Sequence, residues 1–393
     1  MDILIGLLGV IFAIAVAYLF SNQKKNINYK AIGVLLVLQV IVTLFMLKTT
    51  IGTKIIEVVS NGVSKVISYG YEGIDFVVGG LIPEGVSVFF FNVLMVIIFT
   101  STLLSILTYI KFLPLAIKYV GGFLAKITGL SKVVTFNSVN SIFFGQSEAI
   151  LAIKTHLDNM SNNKLFIIST SAMASVSASI MGAYMTMIPP KFVLVSMLLN
   201  ALSGLIVASM MAPIKEEEDE NINIKDISTS NSLFGAIGDG ALDGGKVALI
   251  VAAQLVAFVG LMALINGIFT ALINISFTEI LGYIFAPIAF IMGVPWSEAI
   301  TAGSIMGTKL ATNEFVAMLQ LQPLVPDLSA KTVAIVSSFL VSFANFSSIG
   351  IIAGSIQAVH AEKASIVAKY GLKILLAATL ASVLTGTVVG IFI

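Results

Sequence analysis

The sequence has no cysteine and no arginine, only two histidines and one tryptophan, and charge on just 10% of its residues. Without cysteine there are no disulfides, thiol nucleophiles or thiolate metal sites. All 21 basic residues are lysine, so the planar fork that clamps phosphate or carboxylate bidentately is missing. A neutral ligand therefore suits the chain better than an anionic one. A net charge of +1 gives nucleic acid nothing to bind. There is no H-E-x-x-H, G-x-S-x-G or P-loop pattern, so neither an enzyme nor a bound cofactor is expected. The scarcity of charge excludes most. A soluble protein carries charge on about a quarter of its residues. A chain that is 58% apolar with mean hydropathy +1.05 cannot wet a globule of this size, and lipid must be its main solvent. Lipid-facing backbone must be hydrogen-bonded internally, and the long apolar runs make helices the solution.

What is present is a set of eight apolar windows long enough to cross ~30 Å of hydrocarbon, at about 2–20, 31–48, 86–109, 164–188, 192–213, 246–273, 330–357 and 370–393. Residues 1–20 lack a basic leader and a small-residue cleavage site, so they read as a retained first span. Segments 50–80, 112–130 and 278–293 mix apolar residues at helical spacing with polar ones and read as interfacial amphipathic helices. The acidic stretch Lys215–Lys225 reads as a solvated loop. With the N-terminus outside, fifteen lysines fall on inner loops and five on outer ones, leaving Lys309 over. That agrees with the positive-inside rule and puts both termini outside.

Two segments are too polar at their centres for simple spans. Residues 131–157 hold Gln146 and Glu148 midway, and residues 296–322 hold Asn313 and Glu314. An arm of ~12 residues reaches ~18 Å, little more than half the hydrocarbon core, so each reads as a re-entrant helical hairpin. Each is followed by a span with a polar break, at Ser175–Ser179 and at Asn345–Ser348. The expectation is an all-α polytopic membrane protein with about eight spans, two re-entrant hairpins, interfacial helices and an inverted repeat. It divides into 1–85, 86–213 with the first hairpin, a hydrophilic connector at 214–245, and 246–393 with the second hairpin. Secondary transporters build midplane sites from such broken helices.

Glu148 and Glu314 carry most of the functional signal. A charge at the helix centre costs about 2.5–3.5 kcal/mol even on the lenient insertion scale, so each needs a partner, a wet cavity or a ligand. A structural ion pair remains open for both. Glu298 reads equally as a helix cap. Asn345, Ser347 and Ser348 suit hydroxyl recognition or helix–helix contact. Ser175, Ser177 and Ser179 suit an unwound stretch or packing. A passive channel for small polar solutes is the alternative to a carrier, and a membrane hydrolase pairing the two acids is a third reading.

The motifs Gly145-Gln146-Ser147-Glu148, Gly182-Ala183-Tyr184, Gly307-Thr308-Lys309, Asn313-Glu314-Phe315-Val316-Ala317 and Phe343-Ala344-Asn345-Phe346-Ser347-Ser348-Ile349-Gly350 together resemble the concentrative nucleoside transporter family. The resemblance runs from about residue 86 to the C-terminus. It implies a plasma-membrane homotrimer whose protomers carry nucleosides by an elevator-like movement of a transport domain against a scaffold. It also implies that Gln146, Ser147 and Glu148 face the nucleobase, that Glu314, Asn345 and Ser348 hold the ribose hydroxyls, and that Phe343 lies against the base. Threonine is usual where Ser147 stands, and serine keeps the hydroxyl.

The coupling cation follows from the same resemblance. Sodium-coupled members carry an asparagine five positions before the glutamine, as part of the sodium site. Here that position is Ser141, and Asn140 is one place off, a turn of about 100° on a helix. Ser141, Ser175 and Glu148 are the ion-coupling candidates. The expectation is a proton taken by a buried carboxylate such as Glu148, with sodium as the alternative.

Overall fold

The computed structural model describes residues 2–81, 88–214, 230 and 232–393. The loop expected at Lys215–Lys225 and the 85/86 boundary lie outside these residues. Among those described the chain is helical throughout. The first part runs α1 Asp2–Leu19, α2 Tyr29–Lys48 and α3 Thr50–Val78. A π-helical turn, Phe90–Leu94, leads into α4 Val96–Tyr109, followed by α5 Phe112–Thr128. Then come α6 Lys132–Phe143, α7 Gln146–Leu151, α8 Asn162–Ala174, α9 Ala178–Met185 and α10 Pro190–Met211. The rest is α11 Leu233–Ile273, α12 Phe277–Met292, α13 Trp296–Ala311, α14 Glu314–Leu321, α15 Ala330–Leu340, α16 Phe346–Gln357 and α17 Ala361–Ile391.

The ends of these helices are written in the sequence. Thr49, Ser161, Ser232 and Ser329 accept backbone N–H groups as N-caps, and Ser276 with Glu279 forms a full capping box. Gly129 (φ 70°) and Gly293 (φ 109°) supply the left-handed residue that closes α5 and α12. After Gly293 and Pro295 the chain bends by 118° from α12 into α13.

Among the described residues six of the eight apolar windows fall on helical stretches long and apolar enough to cross a membrane, while those at 2–20 and 330–357 fall on shorter apolar helices. Two departures stand out. The helix expected to begin at 246 begins at Leu233, so α11 is 41 residues long and absorbs much of the region read as a connector. Its glycines and aspartates resembled a linker, but Gly240 and Gly244 are contact points. A Cβ at Gly240 would lie 2.8 Å from Thr102 Cα, and one at Gly244 would lie 2.7 Å from Ile98 Cα. Small residues let membrane helices approach this closely. Likewise, the last span begins at Ala361, not 370.

Both expected hairpins are broken helices. The first breaks at Phe144-Gly145 between α6 and α7, the second at Thr312-Asn313 between α13 and α14. The spans after them break at Ser175–Ser177 and Val341–Asn345. The two halves keep one register: α7 and α14 start at Gln146 and Glu314, α8 and α15 at Asn162 and Ala330, α9 and α16 at Ala178 and Phe346, each pair 168 positions apart. Helices α10 and α17 are buried nearly all round, α4 is half-buried and α11 is mostly exposed, so the broken helices sit in the core and α11 lies at the periphery.

Glu298 does not cap its own helix. It sits in the first turn of α13 and accepts the backbone N–H of Ser329 at 3.1 Å and its hydroxyl at 2.8 Å, fixing the start of α15. For a half-exposed charged acceptor, losing both bonds costs about 1–2 kcal/mol. Glu298→Ala is therefore expected to lower the melting temperature by a few degrees. A melting curve unchanged from wild type would show the contact to be worthless.

Candidate functional site

Breaking a membrane helix frees backbone groups that must find partners, and the breaks here are satisfied across elements. Phe343 N donates to Ser175 O at 3.0 Å, which stitches one broken span to the other. Asn200 on α10 donates its side-chain amide to Val341 O. Ser177 Oγ donates to Phe143 O at 3.3 Å, tying the α8–α9 break to the first hairpin. Ser177 and Asn345 are N-caps at matching positions: Ser177 Oγ accepts Ser179 N, and Asn345 Oδ1 accepts Ser348 N at 2.9 Å. The starts of α7, α9, α14 and α16 thereby meet, and helix starts favour negative charge. Glu148 lies in the first turn of α7, and Glu314 opens α14.

Between these helix starts lies a cavity of about 180 Å³. Its wall includes Gln146, Ser147 and Glu148 from the first hairpin and Asn313 and Glu314 from the second, with Phe343, Asn345, Ser347 and Ser348 from the second break. The far wall is α11, through Val247, Ile250, Val251 and Gln254. All seven residues expected to touch substrate thus line one space. Glu314 Oε1 accepts the Tyr184 hydroxyl at 2.8 Å, and Oε2 accepts the Asn345 amide at 3.2 Å. Asn345 Oδ1 is taken by Ser348 N and by the Ser347 hydroxyl at 2.7 Å, which fixes which end of the amide faces Glu314. Gln146 Nε2 donates to Ser348 Oγ at 3.1 Å, so the first hairpin touches the second broken span. The arrangement holds a carboxylate, side-chain amides and hydroxyls around a space suited to a polyhydroxylated ligand.

Glu148 is exposed to the cavity, and among the described residues its carboxylate has no side-chain hydrogen-bond partner. It also lines an adjoining cavity of about 380 Å³, shared through Gly145, Ser177 and Ser179 and reaching Lys154, Asp239 and Asp243. Ser147 Oγ accepts the Ser355 hydroxyl at 2.8 Å. Ser141 and Ser175 line neither cavity. They are buried, and their hydroxyls turn back to Asn137 O at 2.7 Å and Ala172 O at 3.1 Å. Asn140 turns toward Ala149 O in the other arm of its hairpin, at 3.5 Å. Two residues gain importance only here. Tyr184, fully buried against the edge of Phe315, orients Glu314. Lys309 is fully buried one turn before the second hairpin's break. The count of lysines by side had already left it over.

Comparison with known proteins covers nearly the whole chain. Three family profiles match: the N-terminus of Na+ dependent nucleoside transporters at residues 8–81, a nucleoside-recognition gate at 90–191, and the C-terminus of Na+ dependent nucleoside transporters at 192–390. The chain is 35% identical to the purine nucleoside transport protein NupG of Bacillus subtilis, covering 100% of both chains. It is 36% identical to the nucleoside permease NupC of Helicobacter pylori, covering 99% of this chain and 98% of that one. Among solved structures it is similar to CNTnw in an inward-facing substrate-bound state, with TM-score 0.95 and 34% identity over 100% of this chain and 99% of that one. A doubly substituted CNTnw in an outward-facing state gives TM-score 0.96 and 33% identity over 100% and 98%.

Proposed function

This chain belongs to the concentrative nucleoside transporter family, and from that premise we propose that it imports nucleosides across the plasma membrane by cation symport. The observation that carries the reading is the Glu314 carboxylate, held by Tyr184 and Asn345 on the wall of a cavity closed by both hairpin tips. A carboxylate accepting from a ribose hydroxyl makes a strong charge-assisted bond, and a neutral nucleoside suits a site without arginine. Gln146, Ser147 and Glu148 face the base, Phe343 lies against it, and Glu314, Asn345 and Ser348 take the ribose.

The hairpins and broken spans form the transport body, which slides along the largely apolar α11 wall in an elevator-like step. The adjoining cavity reaches Lys154, on the side that lysine placement assigns to the cytoplasm, so the site is accessible from inside. Both termini face outward, and the assembly is a homotrimer. The test is uptake of labelled uridine into proteoliposomes under an imposed cation gradient and membrane potential. Accumulation above the outside concentration supports symport; simple equilibration would make the protein a passive channel.

The coupling ion is a proton, carried by Glu148. Ser141 offers a shorter side chain than the asparagine of sodium-coupled relatives and lines neither cavity, and sodium needs several oxygens at once. The carboxylate of Glu148 opens onto the cavity inside the protein and has no side-chain hydrogen-bond partner among the described residues, which leaves it able to bind and release a proton. Uptake is expected to persist in sodium-free buffer and to collapse with a protonophore at fixed membrane potential. Uptake that requires sodium and ignores the protonophore would return the chain to the ion named in its family profile.

A further inference from the structure

Lys309 is a buried amine that the transport reading leaves without a task. Its side chain is fully enclosed. Nζ donates to Phe339 O at 2.6 Å and to Ser342 Oγ at 2.5 Å, with Ser382 Oγ of α17 at 3.4 Å. It also lies 4.4 Å from the centroid of the Phe339 ring, where a cation is attracted to the π face. All three oxygens are neutral. The two hydroxyls lie 2.8 Å from each other, so the amine closes a small ring of acceptors.

The position of that ring explains the amine. In an unbroken helix Phe339 O would accept from Phe343 N. Here Phe343 N donates to Ser175 O, because α15 stops at Leu340. The ammonium supplies the missing donor at the C-terminal end of a half-helix, where positive charge is favoured. Phe343 and Asn345, two of the cavity residues, lie within six positions of the carbonyl it holds.

The repeat adds a second observation. At the spacing of 168 positions that relates Gln146 to Glu314, Lys309 corresponds to Ser141. The first half has no amine there. Instead, Asn137 Oδ1 and Asn140 Oδ1 beside Ser141 are buried without a hydrogen-bond partner among the described residues. One half of the repeat carries a buried amine, and the other presents oxygens without a partner among the described residues.

We propose that Lys309 is a positioning residue whose tethered amine occupies in the second half the place that Ser141 holds in the first, and which holds Phe343 and Asn345 in register for substrate. The part concerning substrate rests on the nucleoside reading; the part concerning the amine does not. Lys309→Ala removes the amine and leaves a space that methylammonium can enter, whereas Lys309→Met fills the space with an apolar chain. Millimolar methylammonium is expected to raise the melting temperature of purified Lys309→Ala and to leave wild type and Lys309→Met unmoved. In detergent, where no gradient exists, uridine affinity is expected to fall about tenfold in both variants. Methylammonium should recover it in Lys309→Ala alone.

Equal melting shifts in all three proteins, or uridine binding by Lys309→Met within twofold of wild type, would overturn the proposal. If both variants fail to assemble, Ser342→Ala combined with Ser382→Ala keeps the amine and strips two acceptors. That protein must bind uridine about threefold more weakly or worse, and wild-type affinity would overturn the proposal. A wild type that binds no nucleoside would sink the transport reading and leave the melting arm decisive for Lys309.

Discussion

Replacing Glu314 by glutamine is expected to lower uridine uptake at least about a hundredfold while the protein still inserts and assembles. The reason lies in how its two oxygens are used. One accepts from Tyr184 and the other from Asn345, and their remaining lone pairs face the cavity. Asn345 cannot turn its amide over, because its oxygen is committed to Ser347 and Ser348. The new amide must therefore point its nitrogen at Tyr184, whose hydroxyl proton must then find another acceptor. Shape survives, but the charge and one acceptor toward the ligand are lost. Hydrogen bonds to a charged group are worth about 1.5–3 kcal/mol each, and two of them span roughly a hundredfold to ten-thousandfold at 1.4 kcal/mol per decade. Uptake by Glu314→Gln within tenfold of wild type, measured at equal surface expression, would remove Glu314 from the binding site.

The second large effect concerns the ligand. A nucleoside lacking both ribose hydroxyls, such as 2′,3′-dideoxyuridine, is expected to compete with uridine about a hundredfold more weakly or worse. A site built to pair a hydroxyl rejects its absence strongly, because the site's own buried groups are left unpaired. Glu314, Asn345 and Ser348 are all buried and cannot turn to bulk water instead. Exchange of the base should matter less, since Glu148 stands at the more open side and also lines the larger cavity. If the dideoxynucleoside inhibits as well as uridine does, the ribose assignment fails.

Much of the fold was legible because hydrocarbon thickness imposes a length on apolar runs, so six of the eight windows landed on long apolar helical stretches among the described residues. Both acids were legible because intramembrane charge is costly and therefore conspicuous. What escaped detection depends on distant partners. Tyr184 looks like any amphipathic core residue, and its partner lies 130 positions away. Lys309 announced itself as a lysine on neither side of the membrane, but nothing local tells that its amine ends on a carbonyl 30 positions on. The first turns of α11 were hidden by Gly235, Gly238, Asp239, Gly240, Asp243 and Gly244, a composition typical of a linker. Their helical state comes from contact with α4, which only the folded chain contains.

The length of α11 has a further consequence. Forty-one residues at 1.5 Å each give a rod of about 60 Å, twice the ~30 Å of the hydrocarbon layer. The apolar portion after Lys246 alone spans about 40 Å, so even this part fits ~30 Å only when leaning at about 40°, at the steep end of observed tilts. Hydrophobic mismatch is therefore built into the wall beside the nucleoside site. Acyl chain length sets how far α11 must lean, and the turnover of this carrier should vary with bilayer thickness, fastest in the lipid that matches its resting inclination.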